Sequence, residues 1–402
     1  MNNASSERQC LGCRTWCQAM AVFFVMYTLA APTGCMWTAR TTDSGNNTQV
    51  RALFAKAEAT QNLHEKLRLY TDAIKLTPEC ARSYCARGLA YYQNNEWDLA
   101  ISDFTKAIAL KPHYVAAYMN RGVAYDRKDE LDLAVKDYAR VIELKPDYAD
   151  AYYGRGLVFH RQRAFDSAIK DFTTAIELRP DDANAYLGRG IARSEKGEYD
   201  PAIKDLTRTV ELQPQHADGY YNRGLTYARE RKYGLAITDY TKAIELRPQD
   251  ASALYNRGLA HCHEGEFDRA IEDFRNALKM NRDFAEAYCA IGVAHHRQHE
   301  NGLAVENYTK AIELKPDYAE AYKNRGMVYY WEGKHDLAIK DYSKLIELAP
   351  SNADAYRLRA LAYIAEEDYE AAWADVQAAQ KLGLKVPPGL IEQLKKETGR
   401  SE

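Results

Sequence analysis

The sequence predicts an all-α protein in which one pair of helices recurs about ten times along 402 residues. Three observations predict this fold: proline, glycine and alanine each return at intervals of 34 residues. A fixed period of this length is typical of repeat proteins, whose units stack because one unit cannot bury its apolar face alone. The periodic prolines are Pro78, Pro112, Pro146, Pro180, Pro214, Pro248, Pro316 and Pro350, with Arg282 where one is missing.

Each unit contains two helical patterns joined by a turn. In the second unit, Tyr84, Gly88 and Tyr91 fall on one face of a first helix. Ala100 and Phe104 continue the same kind of spacing on a second helix. The proline that follows ends the second helix, because proline lacks an amide donor and disfavours helix in the residue before it. The small glycine and alanine allow the two helix backbones to approach closely.

One motif recurs in register through these units: Tyr84-x-x-Arg87-Gly88-x-x-Tyr91, then Ala100-x-x-x-Phe104, then Pro112. This motif resembles the tetratricopeptide repeat. The resemblance implies a right-handed superhelical solenoid of helix-turn-helix units, with a concave groove lined mainly by the first helices. We expect a degenerate unit one at 47–80 and a C-terminal capping helix within 387–402. Units two to ten are 81–114, 115–148, 149–182, 183–216, 217–250, 251–284, 285–318, 319–352 and 353–386.

The N-terminal residues 1–35 have the pattern of an export signal. Arg8 and Arg14 precede the apolar run 19–31, which is too short to span a bilayer comfortably. We expect 1–35 to be a signal peptide or a membrane anchor, followed by a polar linker at 36–46. The expected location is the periplasm or the envelope membrane of a bacterium, and the alternative is a cytoplasmic protein.

Cys35 adds a second feature to this segment. The residues from Leu29 to Cys35 resemble a bacterial lipoprotein signal, with Gly34 directly before the cysteine and Pro32 as a departure from the pattern. The resemblance implies that Cys35 is lipidated and that the chain is similar to exported repeat lipoproteins that act as scaffolds.

Arginine at position 7 and aspartate at position 23, counted from the first residue of each unit, are present together or absent together in all units. Unit eight has Ile291 and Asn307 instead, and unit one has Leu53 and Leu69. Because the two residue types vary together within one chain, we predict a ladder of structural ion pairs that joins the helices of each unit. The pairs are Arg87–Asp103, Arg121–Asp137, Arg155–Asp171, Arg189–Asp205, Arg223–Asp239, Arg257–Asp273, Arg325–Asp341 and Arg359–Asp375.

The resemblance implies that positions 2, 5, 6, 9, 12 and 13 face the groove. Tyrosine recurs at position 5, asparagine at position 6 and arginine at position 13. Asparagine can bond both polar groups of a peptide backbone, tyrosine adds contact area, and arginine favours carboxylates. We therefore predict a peptide-binding groove that includes Asn120, Tyr153, Tyr221, Asn222, Tyr255, Asn256, Asn324, Arg127, Arg161 and Arg229.

Histidine and cysteine gather in units seven and eight, where the repeat is least regular. Cys262, His263, Cys289 and His296 occupy groove positions, and a soft metal accepts such ligands. A metal-binding or metal-responsive protein is therefore the alternative function. Sequence drift at one junction explains the same residues, and we favour a protein without a metal site.

Composition and motifs argue against most other classes. A net charge of −3 provides no bulk attraction to nucleic acid. The sequence contains no glycine-rich phosphate loop, no nucleophile elbow and no His-Glu-x-x-His motif. We expect a non-catalytic scaffold or adaptor that needs no cofactor and binds a protein or an extended peptide. We expect no binding to nucleic acid, and membrane association through the N-terminal segment only; the oligomeric state stays open.

Overall fold

The computed structural model describes residues 44–399, in which every regular element is an α-helix and no strand occurs. The predicted all-α fold of consecutively packed helix pairs is confirmed. The predicted signal or anchor at 1–35, with Cys35, and the linker as far as residue 43 lie outside the described residues. Between residues 44 and 399, no helix combines the length and the apolar character that crossing a membrane requires.

Contacts divide the chain into two parts between Asn222 and Arg223, within one helix. In the first part, each helix packs against the next one along the chain. Its helices are α1 Ser44–Ala59, α2 Leu63–Leu76, α3 Ala81–Gln93, α4 Trp97–Leu110, α5 Val115–Arg127, α6 Leu131–Leu144, α7 Ala149–Arg161, α8 Phe165–Leu178, α9 Ala183–Lys196 and α10 Tyr199–Leu212. The helix that contains the division is α11 Ala217–Arg229.

The second part repeats this arrangement. Each of its helices from α12 onward also packs against the next. They are α12 Tyr233–Leu246, α13 Ala251–Glu264, α14 Phe267–Met280, α15 Ala285–Arg297, α16 Asn301–Leu314, α17 Ala319–Trp331, α18 His335–Leu348, α19 Ala353–Ala365, α20 Tyr369–Lys381 and α21 Pro388–Thr398.

The turn inside each of units two to ten has one backbone geometry. The residue at position 15 has a positive φ in all nine, between 60° and 88°. Glycine adopts this conformation without strain, whereas a residue with a side chain loses about 1–2 kcal/mol. Glycine occupies the position in three units, as Gly197, Gly265 and Gly333. In the other six units a residue with a side chain adopts the same conformation, because the turn must reverse the chain so that the second helix packs on the first.

The two helices of a unit approach closely because the facing residues are small, as the sequence predicts. A Cβ atom on Gly258 would lie only 2.6 Å from Cε1 of Phe274. Ala270, on the second helix of the same unit, is fully buried. The aromatic ring therefore fills the space that the glycine leaves, and neither small residue has room for a larger side chain.

Proline is not required to end the second helix. In unit seven, Arg282 replaces the periodic proline, yet α14 still ends at Met280, the position at which the second helices of all other units from one to nine end. The next residue, Asn281, leaves the helical conformation with φ −137° while its N–H bonds to the carbonyl of Ala277. The periodic proline marks the helix end in the sequence, and the local backbone geometry ends this helix without it.

One further helix covers the C-terminal end of the repeat. Leu394 of α21 is fully buried against Trp373 and Val376 of α20, so α21 is the predicted capping helix. At the other end, α1 begins at Ser44, so the predicted linker at 36–46 is wrong in its last three residues. The reason is that Phe54 and neighbouring apolar residues anchor α1 against α2, and the helix extends backwards from them to residue 44.

Candidate functional site

Positions 2, 6, 9 and 13 of the first helices form the surface called here the first-helix face. In the first part it lies on α3, α5, α7, α9 and α11 as far as Asn222, and in the second part on α11 from Arg223 onward, α13, α15, α17 and α19. Side chains of consecutive first helices contact each other across this face: Arg127 Nε donates to the hydroxyl of Tyr92 at 3.1 Å. Consecutive first helices also contact each other in the second part, so the face is a packed surface within each part.

The tyrosines predicted at position 5 lie below this face. Tyr153 is 5% exposed and packs on the ring of Phe172, with 5.7 Å between ring centroids. Tyr221 is also buried. Tyr255 is half-buried and packs on Phe274 and Phe284. The prediction that Tyr153 and Tyr221 offer surface to a ligand is wrong, because position 5 points into the packing between consecutive units.

The asparagines at position 6 are half-buried on the face and fall into two kinds. Asn222 and Asn256 donate Nδ2 to a backbone carbonyl of their own helix, at 2.8 Å and 2.9 Å. Asn120 and Asn324 instead donate Nδ2 to a cysteine thiol of the preceding first helix, at 3.9 Å and 3.8 Å. Within each part the predicted asparagines are separated by units with another residue at position 6, such as Gly154 and Ala290, so they form no continuous row, and they are held in different ways.

The arginines at position 13 are engaged with other residues of the chain. Arg161 bonds the carboxylate of Asp126, donates to the Asp126 carbonyl at 2.7 Å, and reaches Asp129 at 2.6 Å. Arg127 bonds Tyr92, and Arg229 is half-buried. The sequence predicts that Arg161 binds a carboxylate of the ligand. Two carboxylates of the chain itself already neutralise the charge of Arg161.

Position 9 adds an apolar row that differs between the two parts. In the first part, three of its four members on α3 to α9 are buried. In the second part, all of them are half-exposed. The members in the second part are Leu225, Leu259, Val293, Met327 and Leu361. Trp331, at position 13 beside this row, is 72% exposed. The second part therefore has the more accessible apolar surface.

The predicted arginine and aspartate residues lie together in all eight units. Each guanidinium donates two parallel hydrogen bonds to its aspartate, at 2.6–2.9 Å. All eight aspartates are buried. Burial raises the pKa of Asp137 even though Arg121 bonds both of its oxygens, because desolvation outweighs the effect of those bonds on this carboxylate. This bidentate geometry is the strong form of the interaction.

A third partner of these arginines was missed by the sequence analysis. Arg325 Nη1 donates to the hydroxyl of Thr309 at 3.0 Å, so it links unit nine to unit eight. The same bond joins Arg87 to Thr71, Arg121 to Thr105, Arg189 to Thr173, Arg257 to Thr241, and Arg359 to Ser343. The signal was present at position 25, where Arg275 replaces threonine directly before the unit that lacks the arginine. Ala139 is an exception, since it has no hydroxyl to offer Arg155.

The histidines and cysteines of units seven and eight have other neighbours. Among residues 44–399, no group of three or more His, Cys, Asp or Glu side chains is arranged to hold a metal ion. His263 stacks on the ring of Tyr233 at 4.3 Å, and His296 hydrogen-bonds Asn301 at 3.0 Å. Burial raises the pKa of Cys262 to about 11 and that of Cys289 to about 12. These thiols favour the protonated form, which is a poor metal ligand.

A regular stack of helix pairs with an open first-helix face defines a helical-repeat protein. Family models described as tetratricopeptide repeat match residues 67–115, 85–149, 120–183 and 153–217. Others match 217–250, 251–284 and 319–352, and a further TPR repeat model matches 300–332. The chain belongs to the tetratricopeptide repeat family. Comparison with curated proteins finds no match.

One solved structure shows the same fold, and two others are similar to part of this chain. A tetratricopeptide repeat protein from Parabacteroides merdae is 18% identical, with a TM-score of 0.50 over 62% of this chain and 98% of that one. YrrB, described as a TPR protein with an unusual peptide-binding site, is 27% identical over 46% of this chain and 95% of its own, with a TM-score of 0.40. MamA is 27% identical over 43% and 94%, also with a TM-score of 0.40. Membership of the family supports a protein-interaction scaffold, since tetratricopeptide repeat proteins bind protein or peptide partners.

Proposed function

We propose that the chain is a non-catalytic scaffold that binds an extended segment of a partner protein on its first-helix face. The observation that carries the proposal is that two amides at position 6, those of Asn120 and Asn324, are not bonded to their own helix and lie on the same face as the apolar row at position 9. An extended peptide has unpaired backbone donors and acceptors as well as side chains to bury, so it uses both the amides and the apolar row. The exposed Trp331 at the edge of the apolar row adds an aromatic contact of the kind that dominates binding energies.

The absence of catalysis is part of the same proposal. Between residues 81 and 381, consecutive helices are joined by connections of only two to four residues. Catalytic residues concentrate on loops that a rigid scaffold positions. Connections this short leave no loop on which such a group of side chains would assemble, so the regular repeat favours binding over chemistry.

We place this scaffold at the cell envelope, where its N-terminal segment tethers it to a membrane. The support is the apolar run at 19–31 and the lipoprotein-like sequence that ends at Cys35. Labelling cells with a fatty acid tests the tether: the parent chain should take up the label and Cys35→Ala should not. Recovery of the unlabelled parent chain in the soluble cytoplasmic fraction contradicts the proposed location.

Binding on the first-helix face is tested by blocking it. Asn120→Arg with Asn324→Arg places one long side chain on the face of each part. Leu133→Arg with Leu303→Arg is the matched control, because these leucines are exposed on second helices. Full-length parent and variant chains are used to capture proteins from membrane extracts, and the captured proteins are quantified by mass spectrometry.

The proposal expects partners that the parent and the second-helix control recover equally and that the first-helix variant loses. Circular dichroism should show the same helix content and thermal midpoint for all three chains. Equal recovery of every captured protein by the first-helix variant and the parent contradicts binding on this face.

A further inference from the structure

Two of the four position-6 asparagines have surroundings that the other two lack. In both cases the Nδ2 group donates to a thiol of the preceding first helix, at 3.9 Å in the first part and 3.8 Å in the second. In both places a tyrosine of the preceding unit also acts on the same thiol and lowers its pKa, against the larger effect of burial. These sets, called the thiol–amide clusters, are Cys85–Tyr114–Asn120 in the first part and Cys289–Tyr318–Asn324 in the second.

The resemblance between the two clusters extends beyond these three residues. Lys111 lies over the ring of Tyr114 at 5.0 Å, and Lys315 lies over the ring of Tyr318 at 5.1 Å. Burial raises the pKa of the cysteine to about 11 in the first cluster and about 12 in the second. Each thiol is therefore neutral at physiological pH, and it accepts a hydrogen bond without placing a charge on the face.

The thiol determines how the asparagine is oriented. Asn222 and Asn256 turn their amide back onto their own helix, which occupies a donor locally. In the thiol–amide clusters the amide instead bridges two consecutive first helices. An asparagine side chain has two donors and one acceptor oxygen, and either kind of bond occupies one donor, so the cluster asparagines differ from Asn222 and Asn256 in the direction in which the amide is held. The remaining donor and the oxygen are the pair that bonds the N–H and C=O of one peptide unit.

We propose that the two thiol–amide clusters are separate binding subsites for the backbone of extended peptide segments, so that one chain binds two segments at once. This inference rests on the proposed function, because it assumes that the first-helix face binds extended segments. Cys85 and Cys289 act as positioning residues that orient the asparagines. One subsite lies in each part of the chain.

The residues beside the two clusters differ, so the two subsites select different side chains. On the helix of Asn324, the exposed carboxylate of Glu320 lies one turn before it and the exposed ring of Trp331 lies about two turns after it. These favour a segment with a basic residue and a large apolar residue. Next to Asn120, position 2 is Ala116 and position 13 is Arg127, which bonds Tyr92. The first subsite therefore has no free carboxylate at these places and does not share the preference for basic residues.

The test uses random 12-residue peptides displayed on phage and selected on the full-length chain. Selected peptides are labelled with fluorescein, and their affinities are measured by fluorescence anisotropy. We expect two groups of peptides. Asn120→Ala should lower the affinity of one group about tenfold, Asn324→Ala should do so for the other group, and each should leave the opposite group unchanged. Native mass spectrometry should show one peptide of each group on the same chain.

Matched controls separate orientation from general packing. Asn222→Ala and Asn256→Ala should leave both groups within about twofold of the parent, because those amides bond their own helices. Cys289→Ala should weaken the second group about threefold. Cys289→Ser should restore binding, because serine keeps an acceptor for the asparagine. Cys262→Ala is the control for loss of a thiol outside the clusters.

Two results overturn the inference in distinguishable ways. If peptides bind but neither Asn120→Ala nor Asn324→Ala changes any affinity, the subsites are wrong while binding to the first-helix face stands. If no peptide binds, and the variant with arginine at both asparagines still captures every protein that the parent captures, the proposed function fails together with the inference.

Discussion

One rung of the arginine–aspartate ladder should behave as a coupled pair. In unit nine, Arg325 donates to both oxygens of Asp341 at 2.8 Å and 2.7 Å and to the hydroxyl of Thr309 at 3.0 Å. The chain itself supplies an apolar alternative, because unit one carries Leu53 and Leu69 at the same positions. We therefore compare Arg325→Leu, Asp341→Leu and the double variant with the parent.

The magnitudes follow from what each change leaves behind. The side chain of Asp341 is 7% exposed, so Arg325→Leu leaves a buried carboxylate without its cation and should cost about 3–5 kcal/mol. The side chain of Arg325 is 16% exposed and keeps its bond to Thr309, so Asp341→Leu should cost less, about 2 kcal/mol. The double variant removes both charges and should cost only about 1–2 kcal/mol, because apolar residues can replace a buried pair.

Local opening free energies measure this coupling better than one melting curve, because a repeat array unfolds in parts. Hydrogen exchange of α17 and α18 in the four chains reports them directly. Exchange of α3 and α4 in the first part serves as the internal reference and should not change. The two single variants each lower the free energy of local opening. If these two decreases add up to the decrease in the double variant within about 0.5 kcal/mol, the two side chains are not coupled and the proposed ion pair is refuted.

Three further predictions follow from packing, hydrogen bonding and burial. Gly258→Ala should destabilise unit seven by about 1–3 kcal/mol, because the added Cβ would lie 2.6 Å from an aromatic ring. Gly302→Ala is the control and should be neutral or stabilising in thermal unfolding, because the space around Gly302 is open. Ala139→Thr should give the neighbouring arginine its missing hydroxyl and add about 0.5 kcal/mol in urea unfolding; Ala139→Val, without the hydroxyl, should not. At pH 8, site-resolved alkylation should label the half-exposed Cys80 well before Cys289, whose pKa burial raises to about 12; equal rates would disprove that burial.

The repeat and its pairings could be predicted because the chain contains many copies of one unit. Two positions that change together from unit to unit indicate a contact. Positions 7 and 23 do so, since they are Arg87 and Asp103 in unit two but Leu53 and Leu69 in unit one. The hydroxyl partner at position 25 carries the same kind of signal. It was missed because the threonine and its arginine belong to consecutive units, and a comparison within units does not align them.

The groove was harder to predict, since the environment of a first-helix residue depends on the unit before it. Tyr153 looks like a binding residue by its position, yet packing on Phe172 buries it. Arg161 looks like a free cation, yet Asp126 of the preceding unit bonds it. The position of a residue within its unit predicts which face of the helix it occupies. Contacts with the neighbouring unit decide whether its polar atoms can still bind a ligand.

The same dependence explains why identical residues need not have identical roles. Asn256 and Asn324 occupy the same position in their units, but only Asn324 follows a unit with cysteine at position 5 and tyrosine at position 34. One amide consequently bonds its own helix and the other bonds a thiol of its neighbour. In a repeat protein whose units share most of their sequence, the smallest element that can carry binding specificity is therefore a pair of consecutive units, and substitutions should be designed and compared in such pairs.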